Sequence, residues 1–264
     1  MPQRATPNPR IAWNGRNPLL ADKRIRRALA MCIPIEAVIQ QLYHGTARAM
    51  TGPFVPDDFA YNPTVSAIRY DPDGARQLFA AAGWLDSNKD GILDKGGKPF
   101  QLELMIMNGS QATNQFAQMV QAEMKKVGVD LELATIEPSV AVQRVLSGSY
   151  QSAYLAFDLD NDPDPYNVLH SSQWPPRGQN FVYYRNAEVD RLIGLSRNEL
   201  NRSKRRDMYW RIHEIVSDEQ PYTWTIQVSS KWGVSKRVRG VELSRGYGLF
   251  RWYPGVLSWW IPRD

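Results

Sequence analysis

Residues 100–157 read FQLELMIMNGSQATNQFAQMVQAEMKKVGVDLELATIEPSVAVQRVLSGSYQSAYLAF, and this stretch decides the fold. Phe100, Leu102, Leu104 and Ile106 alternate as on one face of a strand. Over residues 112–127, Phe116, Met119, Val120 and Val127 recur at helical spacing, and Gly128 closes the run. Residues 129–136 read as a second strand, 140–146 as a short helix and 153–157 as a third strand. Strand, helix, strand, helix, strand in this order needs crossover connections and at least partly parallel pairing. The expected class is therefore α/β, a mixed sheet flanked by helices. Met105, Met107, Met119 and Met124 read as core filler.

Helical signals flank this unit. Asp22 can cap a helix with the stripe Ile25, Ala28, Leu29 and Cys32. Pro34 suits the first turn of the next, with Ile35, Val38, Ile39 and Leu42 inward and Gly45 as its stop. Residues 46–62 are rich in turn formers. Asp71-Pro72 opens a third helix with Ala75, Leu78 and Phe79 inward. On the carboxyl side, Asn186 caps a helix with Val189, Leu192 and Ile193, and Asn201 caps one with Met208, Ile212, Ile215 and Val216. Residues 222–228 and 238–243 read as strands. The first 17 residues, rich in Pro, Asn and Arg, read as a linker or an edge. Trp252, Tyr253, Trp259 and Trp260 make the last segment too apolar to stand free in water.

Composition narrows the classes. The chain has 264 residues, 43% hydrophobic and 22% charged, as in ordinary globular proteins, which excludes a disordered, collagenous or coiled-coil chain. No run approaches the roughly 20 apolar residues of a spanning helix. The formal charge is +5, and the basic runs at 23–27 and 202–206 read as solvated faces, not a nucleic-acid footprint. One cysteine, Cys32, leaves no disulfide framework.

Two motifs carry oxygen-rich chemistry. Asp86, Asn88, Asp90 and Asp94, with Gly91 between, match the opening of an EF-hand loop, where alternate oxygens wrap a hard cation. The loop's twelfth position is Gly97 instead of the bidentate Glu, and a strand follows where a helix should. Calcium binding and a plain Asx-rich turn both remain open, and no other cofactor is expected. The second motif, Asp158-Leu-Asp160-Asn-Asp162-Pro-Asp164-Pro-Tyr166, follows a strand directly, where α/β sheets bind ligands. It reads as acid/base carboxylates of a hydrolase, as a holder of a ligand cation, or as a solvated acidic loop. His170 follows it and can line a cleft. His213, between Arg211 and Glu214 on a helix, is expected at the surface. No nucleophile elbow, phosphate-cradling Gly-rich loop or paired metal histidines are present.

In order, several segments resemble family 5 extracellular solute-binding proteins, the dipeptide-, oligopeptide- and nickel-binding receptors of ABC importers. They are Asn17-Pro18-Leu19-Leu20 with Asp22, Ile25, Arg26, Ala28 and Leu29; Gly52-Pro53; Tyr70-Asp71-Pro72; Ala81-Ala82-Gly83-Trp84; and Asp90-Gly91-Ile92. Asp162-Pro163-Asp164-Pro165-Tyr166 with Leu169-His170-Ser171-Ser172 is similar to the family's cleft loop. Asn186, Val189-Asp190, Leu192-Ile193, Lys204-Arg205-Arg206 and Pro221-Tyr222 are similar to its final helices and strand.

The resemblance implies a non-enzymatic receptor, about twice this length, whose two lobes close on a solute. This chain is then the second lobe. Residues 1–17 are a crossover remnant of the first lobe, 18–236 the ligand-binding lobe, and 237–264 a return segment belonging with the first lobe. The location implied is periplasmic or lipid-anchored, with the signal peptide outside this chain. The implied partners are a peptide or similar small solute and a membrane permease. The implied ligand residues are Asp160 or Asp158 against an α-ammonium, with Asp162, Tyr166 and His170 nearby. The aromatic tail is expected to self-associate between copies.

Overall fold

The computed structural model describes residues 8–157, 162–228, 233–242 and 255–262. From the amino end, β1 (Asn8–Trp13) is followed by α1 (Pro18–Ala21), α2 (Lys23–Met31), α3 (Ile35–Tyr43), β2 (Ala47–Ala49) and α4 (Pro72–Ala81). A short hairpin of β3 (Asp94–Lys95) and β4 (Lys98–Pro99) leads into β5 (Gln101–Met107), α5 (Gln111–Lys126), β6 (Asp130–Ile136), α6 (Pro138–Ser147) and β7 (Ser152–Phe157). The chain continues through α7 (Tyr166–Leu169), α8 (Ala187–Ser196), α9 (Arg202–Glu219), β8 (Tyr222–Trp224) and β9 (Ile226–Val228).

The main sheet has the order β6-β5-β7-β1-β8. β5 runs parallel to β6 and β7, while β1 is antiparallel to β7 and β8. The sheet is mixed, as the strand–helix rhythm requires. Residues 8–13, where a linker or an edge was expected, are an inner strand buried along its whole length between β7 and β8. The continuous strand expected at 222–228 breaks at Thr225, whose hydroxyl donates to Pro9 O at 2.7 Å. Beyond the break, β9 leaves the main sheet and pairs with β2.

Side-chain alternation divides the core between the two faces. Ile11, Trp13, Leu102, Leu104 and Ile106 face α1 to α5, where Leu20, Ile25, Leu29, Phe79 and Phe116 are buried. Ala12, Met105, Ala153, Leu155, Tyr222 and Trp224 face the other way, toward Val145, Ile193, Tyr209, Ile212 and Val216. The helix starts follow the caps: Asp22, Asp71, Asn186 and Asn201 each accept a backbone N–H of the first turn. At Gly128, φ is +84° and a Cβ would lie 3.1 Å from Leu93 N, so only glycine suits the tight turn from α5 into β6.

Three further expectations change. His213 is buried, because Tyr209, Ile212, His213 and Val216 recur on the inward side of α9. Residues 238–242 form no strand. Arg239 alone bridges to Trp260, and Leu243 lies outside the described residues. Leu78 is only half-buried at the edge of its cluster. Among the described residues no helix is long and apolar enough to cross a membrane.

Candidate functional site

Ligands of α/β sheets sit beyond the carboxyl ends of the parallel strands. Here that edge collects the ends of β5, β6 and β7 and the beginning of β1, since Asn8 pairs with Phe157. The turns after β5 and β6 are tied together: Asn108 N–H donates to Ile136 O at 2.9 Å and Asn108 Nδ2 to Glu137 Oε1 at 3.1 Å. Ser110 Oγ then caps α5.

The acidic loop leaves the edge after β7. Asp158 and Asp160 lie outside the described residues. The remainder is clamped to the last two long helices. Arg205 Nη2 donates to Asp162 Oδ1 at 2.6 Å, and Arg197 Nε lies 3.0 Å from Asp164 Oδ2. Asp164 Oδ1 also accepts Tyr166 N–H at 2.9 Å, which starts α7. Arg197 lies over the Tyr166 ring, 4.1 Å from its centroid, and Tyr166 lies 4.8 Å from the His170 ring. His170 Nδ1 accepts from the Ser172 backbone N–H and hydroxyl at 3.1 and 2.8 Å, capping the short turn that follows. Ser171 closes the loop by donating to Asp190 of α8.

Asp162, Tyr166 and His170 are therefore brought into one loop. Asp162 and Asp164 are each matched by an arginine, an arrangement suited to holding a loop in shape. The Ser172–His170 contact is a local cap two residues long, so its histidine is committed to loop geometry.

Arg10 was not anticipated. It sits on β1 opposite Trp224, buried, with its guanidinium 5.5 Å from the Tyr222 ring centroid. Burial pushes its pKa down to about 10, opposed by the Tyr222 phenol. Nearby, the side chain of Asn8 and the indole N–H of Trp224 are buried without a hydrogen-bond partner among the described residues. The alternation of Ile11 and Trp13 was the available signal, obscured by the flanking prolines.

The calcium-like loop lies before β5, toward the opposite edge. Asp86 accepts the N–H groups of Asp90 and Gly91 at 3.1 and 3.0 Å, and Asp90 accepts that of Ile92 at 2.8 Å. Asn88 accepts Asp90 N–H at 3.1 Å, while Asp94 accepts Ser87 N–H at 2.8 Å. The hydrogen bonds from Ser87 hold the Asp94 carboxyl below the usual carboxylate range. These oxygens close Asx turns, and among the described residues no three His, Cys, Asp or Glu are grouped to hold a metal.

The model of bacterial extracellular solute-binding proteins, family 5, matches residues 5–179. The oligopeptide-binding protein AppA of Bacillus subtilis is 28% identical over 257 residues, 96% of this chain and 46% of AppA. The dipeptide-binding protein of Escherichia coli is 27% identical over 217 residues, 80% of this chain and 38% of that protein. The structure of AppA in complex with a nonapeptide superimposes with a TM-score of 0.88, covering 100% of this chain and 52% of that one. NikZ from Campylobacter jejuni in complex with Ni(L-His) shares the fold, with a TM-score of 0.81 at 23% identity. The chain thus spans about half the length of these relatives. Members of the matched family bind solutes and are not enzymes, which removes the hydrolase reading of the acidic loop. With the family model covering well over half of its residues, this chain belongs to the bacterial extracellular solute-binding proteins of family 5.

Proposed function

We propose that the chain is the second lobe of an importer receptor that captures a peptide between two lobes, outside the cytoplasmic membrane, and delivers it to a membrane permease. Residues 8–236 form the ligand-binding lobe in this reading, since β1 is an inner strand of its sheet, with 237–264 returning to the other lobe. Closure of the lobes shifts the receptor to the form the permease recognises. The observation that carries the reading is similarity along nearly the whole chain to an oligopeptide-binding protein, together with a clamped loop at the carboxyl edge of β7.

The anchor we assign is Asp160, then Asp158, pairing with the ligand's α-ammonium. Asp162 is the weaker candidate because Arg205 already neutralises it. In the two-lobed receptor, Asp160→Asn removes the charge and keeps the shape. Peptide affinity measured by calorimetry is expected to fall by about 2–5 kcal/mol, the cost of stranding one partner of a buried pair. Unchanged affinity in Asp160→Asn and Asp158→Asn alike would contradict the assignment.

A further inference from the structure

We propose that the corner between α8 and α9 is a membrane-facing tip: Leu200 enters the headgroup layer of an anionic bilayer, and Arg202 and Lys204 meet its phosphates. The inference goes beyond peptide capture and holds whichever solute the lobe binds.

Leu200 is 98% exposed and lies in the short connection from Ser196, the end of α8, to Arg202, the start of α9. A scattered exposed leucine needs no explanation by itself. This one is firmly presented. The two helices are fixed to the core by Val189, Ile193, Ile212 and Val216. Between them, Asn198 N–H donates to Leu195 O and Asn198 Nδ2 to Gly194 O, both at 3.1 Å. Asn201 N–H donates to Glu199 Oε1 at 2.7 Å, and Asn201 Oδ1 accepts the N–H groups of Ser203 and Lys204 at 3.0 and 3.2 Å. Both chain neighbours of Leu200 are thus committed to hydrogen bonds, and the corner holds the leucine out in water.

The surroundings select the surface it meets. Residues 191–206 carry six cations and one carboxylate, Glu199. Arg197, Arg205 and Arg206 are paired with Asp164, Asp162 and Asp207. Arg202 and Lys204 are exposed and make no ion pair among the described residues; Arg202 lies over the Phe59 ring, 4.7 Å from its centroid. An apolar side chain beside unpaired cations is the pattern of an interfacial anchor, with the leucine at the acyl boundary and the cations at the phosphates. A protein partner would ask for a broader apolar face. Apart from Glu199, residues 197–204 are exposed, so the corner protrudes, and a fluid bilayer accommodates such a shape. Each cation at an anionic surface is worth about fivefold in affinity, and each methylene leaving water about fourfold. The tip therefore gives weak, reversible binding that adds to any other attachment.

The test is sedimentation of this chain with phosphatidylcholine vesicles containing about one third phosphatidylglycerol, at low salt. The chain should bind these and not pure phosphatidylcholine vesicles, and added salt should release it. Leu200→Ser should weaken binding about tenfold, and Arg202→Gln with Lys204→Gln together about 25-fold. Melting temperatures should stay at the parent value, because these side chains are exposed. Leu200→Trp should bind at least as well as the parent. Leu257→Ser, in the apolar tail, should change nothing. No binding by the parent, equal binding to uncharged vesicles, or parent-like binding by the Leu200→Ser and Arg202/Lys204 variants would overturn the inference. So would release by Leu257→Ser instead, which moves the contact to the tail. Loss of peptide import by Leu200→Ser in the two-lobed receptor, with vesicle binding intact, would assign the corner to a protein partner and overturn it as well.

Discussion

His213 makes a testable point about single residues. Its Nδ1 accepts the Asn62 backbone N–H at 3.1 Å, which leaves the proton on Nε2, 2.9 Å from Thr51 Oγ1. Phe54 and Tyr61 enclose the ring. Burial pushes its pKa down from 6.5 to about 4. The folded protein thus refuses a proton that the unfolded chain accepts. The stability is complete above the unfolded value and is lost as pH falls from 6.5 through 4. The loss amounts to about 3 kcal/mol, at about 1.4 kcal/mol per pH unit of difference. Urea unfolding between pH 7 and 4 should show this slope, and His213→Gln should flatten it. An equal slope in both proteins would contradict the account. The burial was legible in principle, since Tyr209, Ile212, His213 and Val216 follow helical spacing. The charged neighbours Arg211 and Glu214 concealed it. The partners of Asp162 and Asp164 were not legible at all, because they lie more than 30 residues away in sequence and meet only through tertiary packing.

Elements differ in how much of themselves they carry locally. α2, α4, α8 and α9 were legible because cap and apolar stripe are contiguous, and the observed caps are those same side chains. The parallel unit of β5, β6 and β7 was legible from its length and alternation. β1 was not, because its strand character comes from β7 and β8, more than 130 residues away. Pro9, without an N–H, is tolerated because β8 pairs only with residues 10–12 of β1. If β1 is a true core strand, Ile11→Ala, at a position with no exposure, should cost about 2–5 kcal/mol by urea unfolding. A cost under about 1 kcal/mol, as at a surface site, would return the segment to a linker.

At the scale of the molecule, helices cover both faces of one sheet. Arg239 N–H donates to Trp260 O at 2.8 Å and Trp260 N–H to Arg239 O at 3.1 Å, so the last segment folds back on residues 239–240. Leu257 stays 74% exposed and Trp260 57%, with Val256 and Ile261 beside them in the chain. Trp252 and Tyr253 lie outside the described residues. Such a patch favours pairing between copies. Light scattering should show this chain self-associating and a chain ending at Lys236 monomeric. Equal masses at high concentration would refute the pairing.

The central claim is that this chain is half of a peptide receptor. One lobe supplies part of the contact and none of the closure, so its own affinity should be of order millimolar, about 4 kcal/mol. Equilibrium dialysis of a pool of tri- to nonapeptides against this chain and against the two-lobed receptor tests it directly. The account predicts retention at micromolar peptide by the receptor and none by the chain alone. Micromolar retention by the chain alone, or none by the receptor, would contradict it.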